Sequence, residues 1–215
     1  MRNWATRAVG ELAHRRDEIN ALNVFPVPDS DTGSNMAHTM EAAVAELDNG
    51  GDVADSLALG AVRGARGNSG MVLSQVLRGV AESTVDSVID GDVFVRSLKQ
   101  AVELVDRAIA EPVEGTVITV LKAASESAED AAAQSGATLH SIVSAAITAA
   151  ETALERTPSQ LPALREAGVV DAGGAGLVIL LESLLAEIEG STGHTGLPEA
   201  EPTTELEVVF FFAGD

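Results

Sequence analysis

The sequence predicts an all-α fold, and three observations predict it. Strand-type alternation is almost absent before residue 205, in a chain rich in alanine with only 3% aromatic residues. Apolar residues recur instead at helical spacing, three and four apart, along most of the chain. Between these stripes fall glycine, proline and asparagine, the residues that end helices.

In chain order, Trp4, Ala8, Val9, Leu12 and Ile19 form one stripe, predicting a single helix. Met36, Met40, Ala43, Val44 and Leu47 form a second, stopped at Asn49-Gly50-Gly51. Residues 53–63 and 71–80 make the third and fourth. Val93, Phe94, Leu98, Val102, Val105 and Ile109 make a fifth, closed by Glu111-Pro112. Segments 117–133, 139–154 and 177–188 bring the total to about eight helices. Residues 190–204, opened by Gly190-Ser191-Thr192-Gly193, read as a linker. Glu205 to Phe212 reads as a strand. A lone strand has no partner in a helical body: it docks on that body or on another chain, or, the reading preferred here, the tail 205–215 begins a further domain, with 1–189 as the main one.

Composition bounds the function. The 215 residues suit one domain, long enough to bury roughly 70% of its unfolded surface. There is no cysteine, which excludes disulfides and thiolate zinc sites. The longest apolar run, Ala175 to Leu181, stops at Glu182 and is too short to span a bilayer. The N-terminus lacks an apolar leader, so a cytoplasmic protein is expected. The net charge of −20 argues against a nucleic-acid partner. That charge is uneven: residues 1–80 carry 7 basic and 10 acidic groups, and residues 81–215 carry 6 and 23. An anionic ligand meets least repulsion near the first third, although an acidic surface also simply keeps a protein soluble.

Four segments can carry chemistry. In Asn23-Val24-Phe25-Pro26-Val27-Pro28-Asp29-Ser30-Asp31-Thr32-Gly33-Ser34-Asn35-Met36, two prolines stiffen the chain before two carboxylates at alternate positions. Such a pair can point oxygens at one hard cation, and the helix start beside it offers N–H groups to a phosphate. The alternative is a capped turn. An EF-hand is excluded, because the position of its bidentate glutamate is Met40. Gly64-Ala65-Arg66-Gly67-Asn68-Ser69-Gly70 can cradle phosphate on backbone N–H groups or can be a close-packed helix turn. It lacks the Gly-Lys-Ser/Thr of a Walker A loop. Glu114-Gly115-Thr116 reads as a helix cap, and Gly168 to Gly176 as close approach of a flat ligand or of another helix. The four histidines show no metal-ligand spacing, and nothing places a base beside any serine.

Together the four segments resemble the N-terminal kinase domain of bacterial fatty acid kinase. That domain lies within the wider superfamily of the nucleotide-binding subunit of dihydroxyacetone kinase. The resemblance runs from about Trp4 to about Glu189. It implies a barrel of eight antiparallel helices with ATP and Mg2+ at one end. By position it makes Asp29 and Asp31 catalytic metal ligands, with Asn23 standing where dihydroxyacetone kinase relatives have a third carboxylate. Thr32, Ser34 and Asn35 fall at nucleotide positions, the last two facing phosphates. Gly64, Ala65, Gly67, Asn68 and Ser69 match the phosphate-covering loop, with Arg66 set to stabilise developing charge. Thr116 matches a nucleotide-facing residue, and Asp171, Ala172 and Gly173 the loop flanking adenine. Ser30 replaces the usual glycine and Ser34 a threonine.

The function implied is transfer of the γ-phosphoryl group of ATP to a fatty acid carboxylate, presented by a separate fatty-acid-binding protein. The resemblance is also compatible with a homodimer held by regions outside this chain. The alternatives are a dihydroxyacetone-type kinase subunit and a non-catalytic nucleotide-binding adaptor.

Overall fold

The computed structural model describes residues 1–84 and 88–190. The expected linker beyond Gly190 and the expected strand lie outside the described residues. Within them the regular structure is α-helix and one 3-10 turn, with no strand.

The first stripe is two helices rather than one. Helix α1 (Arg2–His14) and helix α2 (Arg16–Leu22) meet at Arg15, whose φ of −98° and ψ of 12° break the helix. Arg15 is buried there, paired with Glu18 at 3.0 Å and lying 3.8 Å from Glu182. A buried guanidinium needs such partners, and periodicity alone does not show them. Then come α3 (Thr32–Glu46), the 3-10 turn Leu47–Asn49, α4 (Val53–Gly64), α5 (Gly67–Ser83), α6 (Gly91–Ala108) and α7 (Val117–Ala132). They are followed by α8 (Leu139–Gln160), α9 (Pro162–Ala167) and α10 (Ala172–Glu189).

Helix α8 runs past the end of its apolar stripe, through Pro158 in its last turn. Arg165 of α9 donates to the carbonyls of Pro158 and Ser159, both at 3.2 Å, serving groups that a helix end leaves unpaired. Three helices begin four or five residues before their stripes do, at Thr32, Gly67 and Ala172. Their first turns consist of glycine, alanine and small polar residues, so they carry no apolar period. These early turns belong to the glycine-rich and small-polar segments singled out in the sequence.

Successive helices from α3 to α8 pack on one another, and α10 returns to touch α1, α2, α3, α7 and α8. Helix α10 belongs to two apolar clusters at once. Val178 and Leu181 join residues of α6, α7 and α8, while Ile179 and Leu180 join α1, α3 and α4. Small residues let it sit that deep: a Cβ on Gly176 would lie 2.4 Å from the Met36 sulfur. The Trp4 indole N–H donates to the Leu180 carbonyl at 3.1 Å and ties α1 to α10. Among the described residues no helix is long and apolar enough to cross a membrane.

Candidate functional site

The first turns of α3, α5, α7 and α10 converge on one cavity of about 560 Å3. That is within the usual range for a small-molecule site.

The elbow between α2 and α3 is held by asparagines. The Asn23 Oδ1 accepts from the backbone N–H of Asp31 at 3.1 Å and of Thr32 at 3.2 Å. Its Nδ2 donates to the carbonyls of Val27 at 3.2 Å and Phe25 at 3.4 Å. Asn20 serves the next part of the turn: its Oδ1 accepts from Ser34 N–H at 3.1 Å, and its Nδ2 donates to the Ser34 hydroxyl at 3.0 Å. So α2 caps α3 with two neutral amides. Asp31 occupies the N-cap position, yet its side chain makes no capping bond. Among the described residues, neither Asp29 nor Asp31 has a side-chain hydrogen bond or ion pair, and both line the cavity. A mere helix cap would have its oxygen on the backbone. The Asn23 amide, by contrast, is fully engaged in bracing the loop.

Helix α5 opens differently. Its N-cap residue Arg66 provides no side-chain cap. Gly67 has φ +59°, and a Cβ there would meet the Asn35 Nδ2 at 2.6 Å. Asn35 therefore sits behind the first turn of α5, while Gly67, Asn68 and Ser69 face the cavity.

Another part of the wall is the start of α10, which Asp171 caps. The Asp171 Oδ2 accepts from Gly174 N–H at 2.7 Å. Burial pushes this carboxyl up to about 6, against the pull of that N–H group. The Thr116 hydroxyl, in turn, donates to the Val113 carbonyl at 2.7 Å and does not cap α7.

The cavity wall thus gathers Asn23, Asp29, Asp31 and Thr32 from the elbow, and Gly67, Asn68 and Ser69 from α5. Thr116, Asp171, Ala172 and Gly173 complete it from α7 and α10. Ser34, Asn35, Gly64, Ala65 and Arg66 do not line it. Ser34 is turned to Asn20, and a Cβ on Gly64 would lie 2.2 Å from that of Ala42, so this glycine serves helix packing. Sequence reading missed the connection between α6 and α7, where Ile109, Glu111 and Val113 form a third wall, and missed Val117 and Ile118. The Glu111-Pro112 break was its only signal. Asn20 had none, since its partner is fourteen residues away.

Chemically, the cavity has an apolar side and a carboxylate side. Asp29 is exposed and Asp31 half-buried, so both keep oxygens free that a cation could take. Of the four helix starts, α5 and α7 have no side-chain cap on their N–H groups, and free N–H groups at a helix N-terminus attract an anion. Among the described residues no three His, Cys, Asp or Glu groups converge on a metal position, which fits a cation held by one or two carboxylates and ligand oxygens.

Fold and site together define an all-helical domain with a ligand cavity at its helix N-termini. The chain belongs to the DAK2 domain family, whose model matches residues 26–186. Protein YloV of Bacillus subtilis is 40% identical over 187 residues, and a protein of Staphylococcus saprophyticus is 38% identical over 187 residues. Each comparison covers 84% of this chain and 34% of the relative, so the chain spans about a third of their length. The crystal structure of dihydroxyacetone kinase from C. freundii in complex with AMP-PNP and Mg2+ shares the fold. Its TM-score is 0.63 at 21% identity, over 86% of this chain and 33% of that one. The native form of that kinase gives 0.57 at 20% identity.

Proposed function

We propose that this domain binds ATP with Mg2+ and transfers the γ-phosphoryl group to a fatty acid carboxylate presented by a separate protein, giving an acyl phosphate and ADP. In this reading residues 1–189 are the ATP-binding unit, 190–204 a linker and 205–215 the start of a further domain. The observation that carries the nucleotide part is the elbow. Asp31 leaves capping to Asn23, so two carboxylates stand open beside the uncapped start of α5.

Asp29 and Asp31 would hold the magnesium ion, which when bound neutralises charge on the phosphates. The first turn of α5 receives phosphate oxygens on the N–H groups of Gly67, Asn68 and Ser69. The apolar wall of Ile109, Val113, Val117 and Ile118 suits a purine face. An acceptor carboxylate attacks phosphorus as the bond to the ADP oxygen breaks. Because that acceptor is already ionised, no general base is needed, and positioning and electrostatics supply the catalysis. The fatty acid acceptor rests on the likeness of the first segment to fatty acid kinases. A second reading, a small hydroxylated acceptor, is favoured by the shared fold with a dihydroxyacetone kinase.

Calorimetry with Mg-AMP-PNP tests the nucleotide part. Binding by the wild-type chain and its loss in Asp29→Ala are expected; Mg2+-independent or absent binding contradicts the assignment. Label transfer from γ-labelled ATP to a fatty acid on its carrier, against transfer to dihydroxyacetone, then separates the two acceptors.

A further inference from the structure

Thr32 is the first residue of α3; it lines the cavity and is only 8% exposed. Its backbone N–H is taken by the Asn23 Oδ1 at 3.2 Å. Its hydroxyl has no hydrogen-bond partner among the described residues. That oxygen is nonetheless not sealed inside the protein, so the little surface that Thr32 shows includes it. The other two buried threonines among the described residues spend their hydroxyls on the backbone. Thr39 donates to the Asn35 carbonyl and Thr157 to the Leu154 carbonyl, each at 2.7 Å. On the same cavity wall, Thr116 donates to the Val113 carbonyl, also at 2.7 Å. A mostly buried hydroxyl that no protein group uses is one that a ligand can take.

We propose that the Thr32 hydroxyl donates a hydrogen bond to the terminal phosphoryl group of the nucleotide, and so distinguishes a triphosphate from a diphosphate. This rests on the nucleotide reading above. The starts of α3 and α5 differ in what they offer an anion. At α3 the N–H groups of Asp31, Thr32 and Ser34 are already taken by Asn23 and Asn20. A phosphate oxygen beside the elbow therefore meets a side-chain donor, whereas at α5 it meets backbone N–H groups. Thr32 directly follows Asp31, so this donor stands next to the carboxylates assigned to the magnesium ion. With the purine on the apolar wall of α7 and phosphate oxygens on the first turn of α5, the elbow is left to the far end of the phosphate chain. A hydroxyl is neutral and donates one bond, so it recognises an anionic oxygen there without repelling the metal.

The test compares Mg-AMP-PNP with Mg-ADP affinity by calorimetry for the wild-type chain, Thr32→Val and Thr32→Ser. Valine keeps the shape and removes the hydroxyl; serine keeps the hydroxyl. Loss of one hydrogen bond to a charged oxygen should lower Mg-AMP-PNP affinity about tenfold or more in Thr32→Val, while Mg-ADP affinity stays within about twofold of wild type. Thr32→Ser should recover most of that loss. Because no protein partner is removed, the urea midpoint of Thr32→Val should not fall, which separates a ligand contact from a damaged fold. Equal loss for both nucleotides, no loss for either, or a loss that serine does not recover overturns the proposal. A second measurement needs no variant, so it stands even where Thr32→Val does not fold. The Thr32 methyl resonance of the wild-type chain should move further with Mg-AMP-PNP than with Mg-ADP; equal movement overturns the proposal. A wild-type chain that binds neither nucleotide overturns the nucleotide reading itself. A wild-type chain that binds both, matched by the valine variant, overturns this proposal alone.

Discussion

The two faces of the cavity solve the same problem in opposite ways. Every helix start leaves N–H groups that need acceptors. At α3 those acceptors are the neutral amides of Asn20 and Asn23, reaching across from α2. At α10 the acceptor is a carboxylate, Asp171, buried and bonded to Gly174 N–H. The consequence is a sorting of aspartates. Where asparagine does the capping, Asp29 and Asp31 keep their oxygens free; where aspartate does it, a carboxylate oxygen is spent on the backbone. Residue type alone does not separate ligand from cap; the remaining hydrogen-bond capacity does.

The largest expected effect breaks this sorting at the elbow. Asp29→Ala or Asp31→Ala should weaken Mg2+-dependent nucleotide binding by at least about a hundredfold, roughly 2.7 kcal/mol, with stability changed by under about 0.5 kcal/mol. Asn23→Ala should do the reverse in emphasis. It strips acceptors from two backbone N–H groups in a buried position, so unfolding free energy should fall by about 2–3 kcal/mol. Urea unfolding of the three variants beside calorimetry decides the matter. An aspartate variant that unfolds early while still binding nucleotide would show that the roles are exchanged.

Acid sharpens the contrast. Asp171 is held at about 6 by burial, above its ordinary 3.8. Glu182 on α10 is raised from 4.5 to about 7 by burial, opposed by Arg15 and reinforced by Glu151 and Glu11. For both groups the folded state binds the proton more readily than the unfolded chain. Their stabilising contribution therefore grows as pH falls from about 7 towards 4.5 for Glu182, and from about 6 towards 3.8 for Asp171. Each is worth on the order of 1–3 kcal/mol, with the smaller value for Glu182, which water partly screens. The urea midpoint should thus be higher at about pH 5 than at about pH 7.5. A midpoint that drops on mild acidification removes the linkage argument.

The sequence made the helical class plain because apolar stripes are a strong periodic signal. It also brought the site segments forward, because Asp29, Asp31 and the glycine run are unusual chemistry in a helical chain. What stayed hidden has physical causes. Arg15 splits the first helix through ion pairs with Glu18 and Glu182, and the latter is remote in sequence. The helix starts at Thr32, Gly67 and Ala172 carry no apolar period, so they read as loops. Asn20 and Asp171 act across helix boundaries, and spacing within one element does not reveal that. Arg66, expected at the phosphates by resemblance, caps α5 by position only and stands outside the cavity wall.

Gly67→Ala is a milder probe of the uncapped helix start. At φ +59° an alanine is strained, and its methyl would crowd the Asn35 amide. A loss of about 1–2 kcal/mol in unfolding free energy is expected, together with weaker nucleotide binding, since the first turn of α5 must shift to make room. Preserved binding in a destabilised variant would move the phosphate position away from α5.

The smallest effect concerns the one non-glycine residue with positive φ among the described residues. Ser30, at φ +54°, lies between the two open carboxylates. A side chain in this left-handed region costs about 1–2 kcal/mol relative to glycine, and glycine returns about 0.5–1 kcal/mol of that through its freer unfolded chain. Ser30→Gly should therefore raise unfolding free energy by about 0.5 kcal/mol, read as a small increase in the urea midpoint. Its effect on metal binding separates two pictures of the elbow. If Asn23 alone fixes the loop, Mg2+ affinity is unchanged by the substitution. If the left-handed turn itself holds the carboxylates in place, the freer glycine lowers that affinity even as the fold becomes more stable, and the asparagine brace is then only part of what keeps Asp29 and Asp31 open.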